Sequence, residues 1–113
     1  MKKLILLAIL MAFSIDTMAD WTVKGEGAFS CPEYVDAKRS NSAKLYSSIS
    51  WVQGFITGVN YQRALSKDSN SAIAQDLAPT SMVLWIDDYC RENLVDDLAD
   101  AAAALVTELM EEK

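Results

Sequence analysis

Apolar residues recur at helical spacing along most of this chain, in stretches separated by polar or turn-forming residues. Leu45, Ile49, Val52, Ile56 and Val59 step by four, three, four and three, which places them on one face of a helix over about 43–65. Before it, Ser30-Cys31-Pro32-Glu33 has the form of a capping box: a serine N-cap, a glutamate three residues on, and a proline in the first turn where its missing N–H does no harm. A short helix to about Arg39 should follow, broken by "RSNS" at 39–42. Beyond the polar loop "SKDSNS" at 66–71, Ala72 to Leu77 has room for one turn of helix. Thr80 or Ser81, behind Pro79, can cap a third helix that carries Met82, Trp85, Ile86 and Tyr89 on one face and ends near Asn93. Leu94, Leu98, Ala101, Ala102, Leu105 and Leu109 then stripe a fourth helix to the C-terminus.

Residues 20–29, "DWTVKGEGAF", carry two glycines and no helical period, so they are expected to form an extended arm that Trp21 and Phe29 pin to the body. No useful β-type alternation occurs elsewhere, and no internal repeat is visible. The pattern predicts one all-α domain of four helices over 30–113, preceded by the arm.

The first nineteen residues stand apart. Lys2 and Lys3 precede an apolar run from Leu4 to Phe13, and Thr17-Met18-Ala19 supplies small residues at the cleavage-determining positions, the layout of a secretory signal peptide. The run is about half the roughly 20 residues that a bilayer core requires, so no stable membrane insertion is expected. Cleavage before Asp20 would deliver the mature chain to an oxidising compartment outside the cytoplasm, the periplasm in the resemblance given below. Two cysteines remain there, Cys31 and Cys90, and an even pair in a small exported domain reads as one disulfide. A bridge of that span is worth roughly 4 kcal/mol in the chain-entropy model.

Losing Lys2, Lys3 and Asp16 turns the net charge from −6 to −7, eight basic side chains against fifteen acidic. Such a surface repels a phosphate backbone, and no basic stripe is present, so nucleic acid is not an expected partner. Histidine is absent altogether, which removes the usual nucleophile–imidazole sites and imidazole-dependent zinc sites. No glycine-rich phosphate loop follows a strand either. The chain is therefore expected to be no enzyme and to need no cofactor.

Two features invite a functional reading. In "SWVQGFITGVN" at 50–60, Gly54 and Gly58 sit in the middle of a helix, where each costs about 1 kcal/mol against alanine. Small residues four apart admit a close helix contact. Gln53, Thr57 and Asn60 argue against a membrane dimer, which leaves packing within the chain, a homodimer face, or a groove for a peptide or ligand. With Trp51, Phe55, Trp85 and Tyr89, these glycines make up the candidate contact or binding face, the aromatic rings being equally suited to a core. The second feature is the acidic set Asp87, Asp88, Glu92, Asp96, Asp97 and Asp100. Asp96, Asp97 and Asp100 could together hold a divalent cation or a basic partner. The alternative is that Asp96 and Asp97 complement a helix dipole while Arg91 pairs with Asp87 or Asp88.

Taken in order, the leader, "SCPEYVDA", "SWVQGFITGVN", "LWIDDYC" and "LADAAAALVTEL" resemble small exported helical proteins of the HdeA-like group, over roughly residues 29 to 110. That group includes periplasmic acid-stress chaperones and, more distantly, the Rap1a/Tai immunity proteins of type VI secretion. Cys31 with Tyr34, the "WVQGF" helix and Cys90 carry the likeness to the chaperones, and the alanine-rich end is closer to the immunity proteins. The resemblance implies an all-α fold with a Cys31–Cys90 bridge, no catalytic residues and a protein partner. Acid-stress client binding leads, and blockade of a secreted effector is the alternative. Acidification from pH 7 to about pH 2 would reverse the mature charge from −7 to +8, which could loosen a dimer or core and expose apolar surface.

Overall fold

A computed structural model describes residues 21–67 and 72–112. The leader expected over 1–19 and most of the polar loop at 66–71 lie outside the described residues. The described chain is all-α: an arm with a 3₁₀ turn at Gly25–Ala28, then α1 Cys31–Ser40, α2 Ala43–Ser66, α3 Pro79–Glu92 and α4 Leu98–Glu111.

Local chemistry sets the helix ends. Ser30 caps α1 through a full capping box, its hydroxyl oxygen accepting from the Glu33 N–H while the Glu33 carboxylate accepts from the Ser30 N–H at 2.9 Å. The Ser30 hydroxyl also donates to that carboxylate at 2.7 Å, and this bond, followed by the one from Ser30 N–H, holds the Glu33 carboxyl below its ordinary range, with Lys44 adding attraction. Asn41 ends α1 in the left-handed region (φ 49°), which asparagine tolerates better than most residues. A second capping box opens α4, with Asp97 as N-cap and Asp100 as its reciprocal partner. The two caps lie side by side: Cys31 N–H donates to Asp96 O at 3.0 Å and Leu98 N–H to Phe29 O at 2.8 Å, an antiparallel bridge that starts α1 and α4 from one point.

Three boundaries differ from the sequence expectation. Helix α3 begins at Pro79, with Ala78 as a cap that makes no side-chain bond, so neither Thr80 nor Ser81 caps it. Proline's preset φ at the first position does the work assigned to a hydroxyl. Helix α4 begins at Leu98, and Leu94 and Val95 stand in an exposed turn, 63% and 97% accessible; the capping box at Asp97 wins over the apolar spacing of Leu94. Residues 72–77 form turns and no helix. Asn60 holds them down in place of a helix, its Oδ1 accepting from Ile73 N–H at 2.9 Å and its Nδ2 donating to Ile73 O at 3.2 Å.

The core gathers Tyr34 from α1, Val52 and Ile56 from α2, Ile86 from α3, and Leu98 and Leu105 from α4. Through it runs the Cys31–Cys90 disulfide, both sulfurs fully buried, joining the start of α1 to the end of α3 with Cα atoms 4.7 Å apart. Beside it the carboxylate of Asp87, 5% exposed, lies between Arg91 Nε at 2.8 Å and Lys38 Nζ at 3.4 Å. Arg91 thus pairs with Asp87, and Lys38 ties the same carboxylate to α1. Burial, with Asp87 nearby, raises the Tyr34 phenol above its usual range; its hydroxyl donates to Val83 O.

Candidate functional site

The arm determines how the aromatic side of α2 is presented. Gly25 takes φ +69° and starts the turn that carries the chain over Trp51. Gly27 lies so close that an added Cβ would collide with the Trp51 ring at Cζ2. The Trp51 indole donates to Lys24 O at 2.8 Å, and Glu26 pairs with Lys44 at 3.3 Å while the Lys44 ammonium sits over the Phe29 ring, 4.8 Å from its centroid. These contacts fasten the arm to α2. The expectation that Phe29 and Trp21 pin it is met through them: Phe29 packs against the core, and Trp21 meets Phe55 with centroids 5.8 Å apart and planes tilted by 53°.

Phe55 is the hinge of the surface. It stacks on Trp51 at 5.6 Å on one side and lines an open trough of about 560 Å³ on the other. The trough is walled by the rings of Trp21, Phe55 and Tyr89 and by Asp96, Asp100 and Ala103. A second groove, about 370 Å³, runs between the arm and α2 and reaches Gly54 and Trp51. Trp21 and Phe55 belong to both, so the two form one continuous aromatic face with Trp21, 49% exposed, at its centre. Tyr89 closes the far side: it stacks on Trp85 at 5.7 Å, and Trp85 is held in turn by its indole N–H donating to Glu108 Oε2 at 2.7 Å.

Charge enters from the α3–α4 turn. The Tyr89 hydroxyl donates to Asp96 Oδ2 at 2.6 Å. This bond, with burial and the field of Asp96, Asp100 and Asp97, pushes the phenol up to about 12. Asp100 spends one oxygen on its capping bond to Asp97 N–H at 3.2 Å. Among the described residues no cation pairs with Asp96, Asp97 or Asp100, and no group of three or more carboxylates, cysteines or histidines is disposed to hold a metal ion. Asp96 lies outside α4, so only Asp97 and Asp100 of this set interact with the start of the helix.

The structure brings Trp51, Gly54, Phe55 and Tyr89 to this face, with Trp85 behind Tyr89. Gly58 lines neither groove. One reading of the glycines is overturned among the described residues: a Cβ built at Gly54 or Gly58 finds nothing within 4 Å, so no described helix packs over them. The close contact belongs to Gly27, which the helical pattern gave no reason to single out; the signal was its place in a glycine pair within an aromatic-flanked arm. Gly54 and Gly58 instead start an exposed stripe that continues to Tyr61 and Leu65, both more than half accessible. No helix among the described residues is long and apolar enough to cross a membrane. No family model, curated protein or solved structure matches the chain.

Proposed function

We propose that this is a non-enzymatic, periplasmic protein-binding domain whose working surface is the aromatic face formed by the arm, α2 and the α3–α4 turn. One observation carries the reading. Trp21, Trp51, Phe55 and Tyr89 are only partly buried, yet they are held in fixed mutual geometry by hydrogen bonds and stacking, beside a glycine whose side-chain space is vacant. Rings spent purely on the core would be enclosed; rings that are ordered and open offer a partner large apolar area at little entropic cost. Exposed Tyr61 and Leu65 extend the surface along α2.

The leading task is capture of client proteins under acid stress, as the HdeA-like resemblance implies. The test is light scattering by an aggregating client, such as an unrelated enzyme brought to pH 2–3, with and without the purified mature protein. Suppression at pH 2–3 and none at pH 7 is expected; no suppression at either pH removes the chaperone reading. The second reading is immunity to a secreted effector, as in the Rap1a/Tai group. Its support is that the trough lies open in the folded chain, ready for one defined surface without prior loosening. Tight stoichiometric binding at neutral pH to the product of a neighbouring effector gene would favour it.

A further inference from the structure

The trough has a composition that an apolar client alone would not need. Its walls are three rings, and among the described residues its only charged lining residues are Asp96 and Asp100. Each carboxylate already uses one oxygen, Asp96 for the Tyr89 hydroxyl and Asp100 for Asp97 N–H, and these bonds fix both groups in place. Their remaining oxygens meet no cation among the described residues. The surroundings deepen the negative potential: from Pro79 to Glu112 the chain carries nine acidic side chains and a single basic one, Arg91, which is already committed to Asp87. Helix α2, which supplies Phe55, has no acidic residue at all. The trough therefore lies where an aromatic wall from a weakly charged helix meets an unneutralised acidic edge.

We infer that this trough receives an arginine side chain of the partner protein, its guanidinium against the faces of Trp21, Phe55 and Tyr89 and its N–H groups on Asp96 and Asp100. The inference rests on the protein-binding reading in its neutral-pH form, where carboxylates are charged, and specifies the partner's chemistry at that same face. Charge complementarity selects a cation. Among side-chain cations the planar, weakly hydrated guanidinium combines stacking on rings with several hydrogen bonds to carboxylates, whereas the compact ammonium of lysine gives up more hydration for fewer directed contacts.

The test is an NMR titration of the mature protein with a hexa-arginine peptide at neutral pH, with hexa-citrulline as the neutral counterpart of the same shape. Saturable shifts should concentrate on the Trp21 indole and the Phe55 and Tyr89 rings, and hexa-citrulline should give none. Asp96→Asn with Asp100→Asn keeps both acceptors and removes both charges, and should weaken binding roughly tenfold. Glu111→Gln with Glu112→Gln makes the same change of net charge at the far end of α4 and should change binding little. Trp21→Ala, outside the buried core, should weaken binding while lowering the melting temperature only slightly, through the lost contact with Phe55. Equal weakening by the two charge pairs, shifts away from the trough, or equal binding of hexa-citrulline would overturn the inference. Client capture measured by light scattering is a separate readout, so loss of the arginine site and loss of the protein-binding function are distinguishable.

Discussion

Two pairs of glycines in this molecule do opposite things. Gly25 and Gly27 sit in the arm, one in a backbone conformation that side chains resist and the other pressed against Trp51. Gly54 and Gly58 sit in regular helix with open space where a side chain would be. The first pair is explained entirely by the folded chain. The second is not: an exposed helical glycine costs about 1 kcal/mol against alanine, and no contact among the described residues returns it. A residue that weakens the fold without compensation inside it is what the proposed binding surface would account for.

Both surfaces depend on the frame that holds α1, α3 and α4 together, so the largest effect should come from breaking that frame. Cys90→Ser removes the bridge, and denaturant melts should show a loss of about 2–5 kcal/mol with poor accumulation of exported protein. Thiol labelling that finds both cysteines free in native protein would contradict the bridge. The next effect is at the closed pair. Gly27→Ala puts a Cβ into the Trp51 ring and should cost about 1–3 kcal/mol, or release the arm and raise its amide exchange. Trp51→Phe keeps an aromatic ring but loses the donor to Lys24 O, for a cost of about 0.5–1.5 kcal/mol.

Much of the frame was legible in the sequence. Four helices, both α1 ends and the cysteine pairing followed from apolar spacing, a capping box and redox compartment, because those signals are local or compositional. The errors have local causes too. Leu94 continued a convincing stripe, but Asp97 and Asp100 satisfied the free N–H groups of α4 better and moved its start to Leu98. The candidate face was only half legible. Trp51, Phe55 and Tyr89 stood out as aromatics, but nothing in the spacing brings Trp21 across to Phe55 or places Asp96 beside Tyr89. Those juxtapositions come from chain reversals, at the arm and at the α3–α4 turn.

The acidic edge of the face has its own smaller signature. The Tyr89 phenol should ionise near pH 12 by its absorbance change, and Asp96→Asn should bring it back toward 10. Since folding raises this value, the Tyr89 contribution to stability is fully present below about pH 10 and is lost as pH climbs through about 12. An unchanged titration in Asp96→Asn would separate Tyr89 from that carboxylate. Smaller still is the effect at the open pair. Gly58→Leu should raise stability by up to about 1 kcal/mol, the reverse of Gly27→Ala, because it removes a helix penalty and meets no neighbour. A Gly58→Leu protein that melts lower, or loses a concentration-dependent dimer in sedimentation, would show a contact over this glycine.

The central claim is that the face around Gly54 and Phe55 is kept open for another protein. Light scattering of an acid-aggregated client, measured with Gly54→Leu beside the parent, tests it most directly, since leucine fills the groove next to Trp51 and Phe55 without opposing the helix. The account predicts that the parent suppresses aggregation at pH 2–3 and that Gly54→Leu, melting at least as high as the parent, suppresses it poorly. No suppression by the parent would remove the chaperone reading, and full suppression by Gly54→Leu would contradict the claim itself.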